Sequence, residues 1–198
     1  MTSGRVTQAL LAWTEFVRRV QDELSADNSC IDFHASFESE HALNEHIVMG
    51  LRDLFRAHYP LERTIHDHVL YRNGREAEDR RAWHDALPRK YVVLHGLRFV
   101  PDVLIQRSFT EGCRDVLPVD IKLLTKPSCS QPLATAIGQS LIYSLHHSRA
   151  ILFVAVNRGV MGRRRGISDD LGRSGVFGLL KQRLQSTEVC LILREVGA

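Results

Sequence analysis

The chain has 198 residues, of which 44% are apolar and 25% are charged, and its formal net charge is +3. These values are typical of a single globular domain with a substantial core, and they permit a nucleic-acid partner without requiring one. No apolar run is long enough to span a bilayer, so we expect no membrane partner. The four cysteines are scattered, which argues against a disulfide framework or a structural zinc site. We therefore expect a cytoplasmic protein with reduced thiols.

Two amphipathic helices are predicted in the N-terminal third. Apolar side chains recur at three- and four-residue steps over residues 5–24 and again over residues 39–58. We interpret the first as a helix that packs at the edge of the domain rather than as a dimerisation arm. The second ends at Tyr59-Pro60, because the residue before a proline disfavours helix. Glu45 lies at the border of its apolar stripe, where a carboxylate can point across the interface between helix and sheet.

A strand and then a highly charged stretch come next. Residues 61–71 alternate well enough to predict a strand, with two histidines on one face. We interpret these histidines as solvent-facing, because no third metal ligand is evident nearby. Residues 72–90 predict an inserted loop or short helix. Two of its arginines, Arg80 and Arg81, are candidates for contacting a phosphate backbone, and solvated surface charge is the alternative.

Two further strands are predicted over residues 91–95 and 97–105, on either side of a glycine. The second contains Pro101, which removes a ladder donor and marks an edge, a bulge or the start of a strand. Asp102 follows directly and precedes an apolar run. A carboxylate at the beginning of a buried strand requires a partner.

The strand predicted over residues 116–124 carries an acid and a lysine two residues apart. Because side chains alternate between the faces of a strand, Asp120 and Lys122 share one face and the apolar residues share the other. A buried carboxylate or ammonium is costly unless it is paired or holds a metal. An isolated pair of this kind favours an ion pair at a sheet edge, so its neighbours decide between that and a metal site.

The C-terminal half alternates helices with strands. A helix over residues 132–147 precedes a strand over 150–156 that is apolar throughout, as in a strand buried on both faces. A helix over 175–185 precedes a last strand over 189–193. This alternation predicts an α/β architecture with a central mixed or parallel sheet flanked by helices. Between these pairs lies a basic loop that is a second candidate for nucleic-acid contacts: Arg163, Arg164, Arg165.

Acidic and polar residues occur in a defined order along these elements: Glu45, Asp102, Asp120, Lys122, Gln139, Tyr143. The order resembles the PD-(D/E)XK nuclease superfamily, and the stretch 138–143 is similar to the Q-x-x-x-Y helix of the RecB-type nucleases. The resemblance covers residues 38–160. It implies a single nuclease domain with a restriction-endonuclease-like core over 38–160, an extra N-terminal helical segment over 1–28, and a C-terminal helix and strand over 161–198.

The resemblance also implies a metal site. Asp102, Asp120 and the backbone carbonyl of Ile121 would hold Mg²⁺, with Mn²⁺ able to substitute. Glu45 would bind a second ion or a metal-associated water from the helix. We assign that role to Glu45 rather than to the neighbouring Glu38 or Glu40 because of its helical phase and its Asn-Glu context.

The remaining residues would act on water and substrate. Lys122 would orient or deprotonate the attacking water and offset charge in the transition state. Gln139 would position the water or a phosphate, and Tyr143 would support the site or contact the substrate. The scattered cysteines lack the grouping of the iron–sulfur members of this superfamily.

The implied activity is metal-dependent endonucleolytic cleavage of DNA that leaves 5′-phosphate ends, in restriction, defence or repair. Duplex DNA is the favoured substrate, with single-stranded DNA or RNA as alternatives, and a homodimer would supply two sites for duplex cleavage. No phosphate-binding loop of a motor is present, so any motor or effector would be a separate chain. The alternative function is a non-catalytic nucleic-acid-binding or assembly subunit that retains the fold.

Overall fold

The computed structural model describes residues 3–61, 64–86, 92–108, 114–125, 130–147, 149–157 and 176–197. The helices in these ranges are α1 (Ser3–Ser25), α2 (Glu40–His58), α3 (Ile65–His68), α4 (Ala77–Asp85), α5 (Ser130–His147) and α6 (Val176–Gln185). The strands are β1 (Val69–Tyr71), β2 (Val92–Leu94), β3 (Leu97–Phe99), β4 (Val103–Ser108), β5 (Arg114–Leu124), β6 (Ala150–Asn157) and β7 (Val189–Val196). None of these helices combines the length and the apolar character that crossing a membrane requires.

Five strands form a mixed central sheet in the order β1-β4-β5-β6-β7. The pairs β1–β4 and β4–β5 are antiparallel, whereas β5–β6 and β6–β7 are parallel. Each parallel pair is joined through a helix, α5 or α6, which is the crossover that parallel strands require. The predicted α/β class with a mixed sheet is therefore confirmed, and β5 lies at the centre, where the two kinds of pairing meet.

The helices cover both faces of the sheet. On one face, α1 and α2 bury their apolar stripes against the odd-numbered residues of β5, including Val119 and Ile121. On the other face, α5 and α6 pack against alternate residues of β6, such as Leu152 and Val154. The prediction that the first helix packs on the domain is confirmed, because Phe16 of α1 is fully buried in the larger core.

The strand predicted over residues 61–71 is wrong for most of its length. Of the residues in this range that the structure describes, β1 alone is a strand, and the four residues before it form α3. His68 is buried, stacks on Phe55 and places its Nδ1 3.0 Å from the carbonyl oxygen of Gln106, so its interpretation as solvent-facing is also wrong. Tertiary packing overrides the local alternation here, because a helical turn buries both Ile65 and His68, which are three residues apart.

The strand predicted over residues 97–105 is divided in two. Residues 97–99 form β3, which pairs with β2 in a separate two-stranded hairpin, and β4 begins only at Val103. The hairpin turn uses His95 and Gly96, both with positive φ, which is the backbone conformation that a tight two-residue turn requires. Asp102 consequently precedes β4 instead of lying within a strand.

Truncation of Phe16 tests whether α1 is an integral part of the core. Phe16→Ala should lower the free energy of unfolding by about 3–5 kcal/mol, because it removes a fully buried ring that packs edge-on against Phe55. The measurement is urea denaturation. Arg18→Ala, which removes an exposed member of a helical ion pair with Asp22, should change stability by less than about 0.5 kcal/mol. Equal effects of the two substitutions would contradict an integral α1.

Candidate active site

The candidate site lies where β5 extends beyond its antiparallel neighbour. The pairing of β4 with β5 ends at Val103 opposite Val119, and β5 continues to Leu124. Continuing this register would place Pro101 opposite Ile121, and proline has no N–H with which to extend the ladder. The last residues of β5 therefore have an open flank on the side of β4.

Two carboxylates accept hydrogen bonds from the backbone N–H groups on this open flank. Ile121 N–H donates to Asp102 Oδ2 at 2.9 Å, and Leu123 N–H donates to Glu40 Oε2 at 3.3 Å. These N–H groups are two residues apart, so they point to the same side of the strand. Asp102 and Glu40 thus take the place of a neighbouring strand as acceptors. These two hydrogen bonds hold both acids against β5.

Lys122 connects all the acids of the site. Its Nζ lies 3.3 Å from Asp102 Oδ2, 3.4 Å from a Glu40 oxygen and 3.8 Å from Asp120 Oδ1. Burial lowers the pKa of Lys122, but the three surrounding carboxylates outweigh burial, and the net shift is upward. The ammonium is therefore protonated at neutral pH, and one cation faces three carboxylates.

Asp120 is the most buried acid of this cluster, with 2% of its surface exposed. Its Oδ2 has no hydrogen-bond partner among the residues that the structure describes. Burial, followed by the negative charge of Asp102, raises the pKa of Asp120 to about 8, despite the opposing effect of Lys122. A buried acid without a full set of partners is destabilising unless another group satisfies it, so this position indicates a binding role.

Tyr143 of α5 lies near the acids, because its hydroxyl is affected by the charges of Asp120 and Asp102, and the role of Gln139 remains a prediction. The Tyr143 ring is buried, and burial together with the charges of Asp120 and Asp102 raises the pKa of its hydroxyl. That hydroxyl, like the buried Ser140 Oγ one turn earlier, has no hydrogen-bond partner in the described part of the chain. Gln139 is partly buried one turn before Tyr143 on the same helix.

The helix acid that joins the cluster is Glu40, not the predicted Glu45. Glu45 Oε1 instead lies 3.1 Å from His41 Nε2 and 3.5 Å from Arg75 Nε. His41 Nδ1 in turn lies 2.8 Å from the hydroxyl of Tyr71, which places Glu45 in a chain of contacts beside the site. Direct metal binding by Glu45 remains a prediction, and among the described residues Glu40 is the helix acid that contacts Lys122.

Helical phase could have identified Glu40 from the sequence. At 100° per residue, Glu40 lies within roughly 20° of the centre of the buried stripe of α2, whereas Glu45 lies roughly 120° away from it. Glu40 is also the first residue of the helix after the N-cap Ser39, whose hydroxyl accepts from Ala42 N–H. An acid at this position is favoured by the helix dipole and lies at the end of α2 that meets β5.

Two of the predicted nucleic-acid contacts, Arg80 and Arg81, interact with residues outside this cluster. Arg80 donates to the backbone carbonyl of Arg75 at 2.7 Å, and Arg81 lies 3.7 Å from Asp67, both on the exposed surface of α4. The loop with Arg163, Arg164 and Arg165 lies outside the described residues. These five assignments remain predictions.

A second group of metal-ligand types lies near α4. His66, Glu76 and Asp79 place one potential ligand atom each within 4.8 Å of one another. Asp79 is already paired with the guanidinium of Arg52, which also donates to the carbonyl of Val69 at 3.3 Å. The positive charge of Arg52 makes this group an ion-pair network that links α2 to α4, rather than a favourable cation site.

Comparison with models of protein families finds no match, and comparisons with curated proteins and with solved structures find none either.

Two acids of the cluster suit a divalent cation. Asp102 and Asp120 supply hard carboxylate oxygens, the ligand type that Mg²⁺ prefers, whereas Glu40 does not complete a group in which one oxygen from each acid lies within 4.8 Å of the other two. The unpartnered Asp120 Oδ2 and the excess of acidic groups over the one ammonium both favour a cation at this position. The predicted grouping of Asp102, Asp120 and Lys122 is present, and the carbonyl of Ile121 remains a predicted ligand.

Replacing the acid of Asp120 by an amide tests its burial. The raised pKa means that folded Asp120 keeps a proton that its unfolded form releases near the ordinary aspartate pKa of 3.8. The free energy of unfolding of the metal-free protein should therefore fall as pH rises from about 4 to about 8 and then level off. Asp120→Asn removes this loss and, in EDTA at pH 8, should be more stable than wild type by about 1–3 kcal/mol.

Thermal melts in EDTA at pH 5 and pH 8 measure this difference. It should shrink at pH 5, where wild-type Asp120 is protonated. The matched control is Asp53→Asn, which removes an exposed acid of α2 and should give the same small effect at both pH values. An Asp120→Asn variant that is less stable than wild type at pH 8 would show that the carboxylate is satisfied in the metal-free protein.

Proposed function

We propose that this protein is a Mg²⁺-dependent deoxyribonuclease that hydrolyses phosphodiester bonds within duplex DNA and leaves 5′-phosphate ends. The observation that carries the proposal is the cluster of Asp102, Asp120 and Glu40 around Lys122 at the open flank of β5. It combines carboxylates that can hold a divalent metal ion with a lysine ammonium that can contact a phosphate. The order of these residues along the chain, with Tyr143 on the following helix, supports membership of the PD-(D/E)XK superfamily.

The carboxylates would hold the metal and select its type. Asp102 immediately precedes β4 and Asp120 lies on β5, while Glu40 approaches from α2 on the opposite face, so the acids are fixed by three separate parts of the fold. Bound Mg²⁺, for which Mn²⁺ can substitute, supplies positive charge that polarises the phosphate and makes water more acidic. Deprotonated Asp120 is the form that binds, so cation binding releases the proton that burial retains.

Lys122 would stabilise charge rather than act as a base. Its raised pKa keeps the ammonium protonated at neutral pH, so it cannot accept a proton from water without first losing its own. A protonated lysine held by three carboxylates can donate a hydrogen bond to water or to a phosphate oxygen. Of the two roles implied by the resemblance, this geometry supports orientation of water and charge stabilisation in the transition state.

DNA is the proposed partner, and a homodimer would place one site against each strand of a duplex. Single-stranded DNA and RNA remain alternative substrates, and they are distinguished by the same assay. A role in restriction, defence or repair follows from the superfamily resemblance alone.

A plasmid assay tests the activity directly. Wild-type protein with Mg²⁺ or Mn²⁺ should convert supercoiled plasmid to nicked or linear DNA, and EDTA should abolish the conversion. Lys122→Ala should reduce the rate by about 100-fold or more, because it removes the ammonium that faces the phosphate. Thermal melts of Lys122→Ala should accompany the assay, since this variant leaves three carboxylates without their shared cation.

Each other outcome has a defined meaning. Digestion of linear single-stranded DNA or RNA, but not of plasmid, would change the substrate and retain the hydrolase. DNA binding by folded protein without cleavage of any nucleic acid, with either metal, would contradict the hydrolase and favour the non-catalytic binding subunit.

Substitutions of Glu40 and Glu45 distinguish the helix acid that contacts Lys122 in the structure from the helix acid predicted from the sequence. Glu40→Gln should lower the cleavage rate by about 10–100-fold, because it removes a carboxylate that contacts both Lys122 and the Leu123 N–H. Glu45→Gln should lower it much less, since its contacts are with His41 and Arg75. The readout is the initial rate at several Mg²⁺ concentrations. A larger loss in Glu45→Gln than in Glu40→Gln would restore Glu45 as the helix ligand.

A further inference from the structure

Arg72 lies in line with Asp102 and Asp120 across neighbouring segments of the sheet. β1 pairs with β4 so that Tyr71 is opposite Val103, and the next residues in this antiparallel register are Arg72 and Asp102. Arg72 N–H donates to the Asp102 carbonyl oxygen at 3.0 Å, which extends the ladder by one residue. Asp102 is in turn opposite Asp120 by the register of β4 with β5. Directly opposed residues place their side chains on the same face, so Arg72 shares the face of both acids.

Arg72 is more accessible to a ligand than Lys122. Lys122 is enclosed, with 18% of its side chain exposed, and contacts every acid of the cluster. Arg72 is exposed, and none of the described residues places a carboxylate oxygen within 4 Å of its guanidinium nitrogens. Its charge nevertheless reaches the site, because it lowers the pKa of the Tyr143 hydroxyl against the larger effect of burial.

We propose that Arg72 binds the DNA substrate. Its guanidinium holds the non-bridging oxygens of a DNA phosphate beside Asp102. The proposal rests on the proposed nuclease function and adds the group that receives the substrate. Its backbone is fixed by the hydrogen bond to Asp102, so the start of its side chain has a defined position relative to the acids. In the described ranges its head group has no carboxylate partner, so binding a phosphate does not require an ion pair among those residues to break.

The chemistry of the site explains why a second cation is needed here. The negative charge of the acidic cluster repels a phosphodiester, and the charge of Lys122 is already shared among its acids. A guanidinium offers two parallel N–H donors that match two phosphate oxygens, and it keeps its charge at all physiological pH values. Because lysine cannot reproduce this bidentate contact, Arg72→Lys should restore the charge without restoring the full affinity.

The test compares the DNA affinity and the cleavage kinetics of substitutions at Arg72. Arg72→Ala should weaken the binding of a fluorescein-labelled duplex about tenfold or more, measured by anisotropy with Ca²⁺ in place of Mg²⁺. It should also reduce the slope of log affinity against log salt concentration by about 0.9, the value expected for one lost phosphate contact. Arg72→Lys should recover most of the slope and only part of the affinity. In cleavage assays, KM should rise more than kcat falls.

Arg18→Ala is the matched control. It removes one arginine charge from the exposed face of α1, on the other side of the sheet, and so changes the net charge of the protein equally. If Arg72→Ala and Arg18→Ala have the same affinity and salt slope, Arg72 binds no phosphate, whether or not the protein cleaves DNA. If wild type binds DNA with the Arg72-dependent slope but never cleaves, the hydrolase fails and the phosphate subsite stands. Wild-type protein that neither binds nor cleaves DNA overturns both.

Discussion

The ending of the β4–β5 ladder is the constraint on which the candidate site depends. The pairing of β4 with β5 ends at Val103 opposite Val119, so the N–H groups of Ile121 and Leu123 need acceptors from elsewhere. Asp102 and Glu40 provide them, which brings a loop acid and a helix acid onto the same strand. The backbone requirement of one strand thereby assembles carboxylates from both faces of the sheet, and Lys122 can contact all of them from a single position.

This assembly places more negative charge in the sheet than folding alone would favour. Asp120 is almost completely buried and retains a proton to a pH of about 8, and the neighbouring hydroxyl of Tyr143 is buried without a partner among the described residues. Buried polar groups without partners destabilise a protein, and they are concentrated at functional sites, where a ligand satisfies them. With the exposed Arg72 opposite Asp102, the proposed site has carboxylates for a metal cation and a guanidinium for a phosphate.

The larger errors of sequence-based reasoning have distinct physical causes. The stretch before β1 alternates like a strand but forms a helical turn, because His68 gains a stacking contact with Phe55 and a contact with a backbone carbonyl that the local pattern does not encode. The sequence-based preference for Glu45 rests on its position at the border of the apolar stripe, whereas the 100° helical phase places Glu40 near the centre of that stripe. Metal binding by Glu45 remains a prediction.

The sequence by itself determined the alternation of helices and strands in the C-terminal half, the mixed α/β class, and the shared face of Asp120 and Lys122. These features follow from apolar periodicity and strand alternation, which are local properties of the chain. Only the tertiary structure decided that Glu40 joins the cluster, that Asp102 binds a backbone N–H of β5, and that Arg72 lies in the same row. These contacts join residues distant in the chain, and they depend on strand register, which no local pattern specifies.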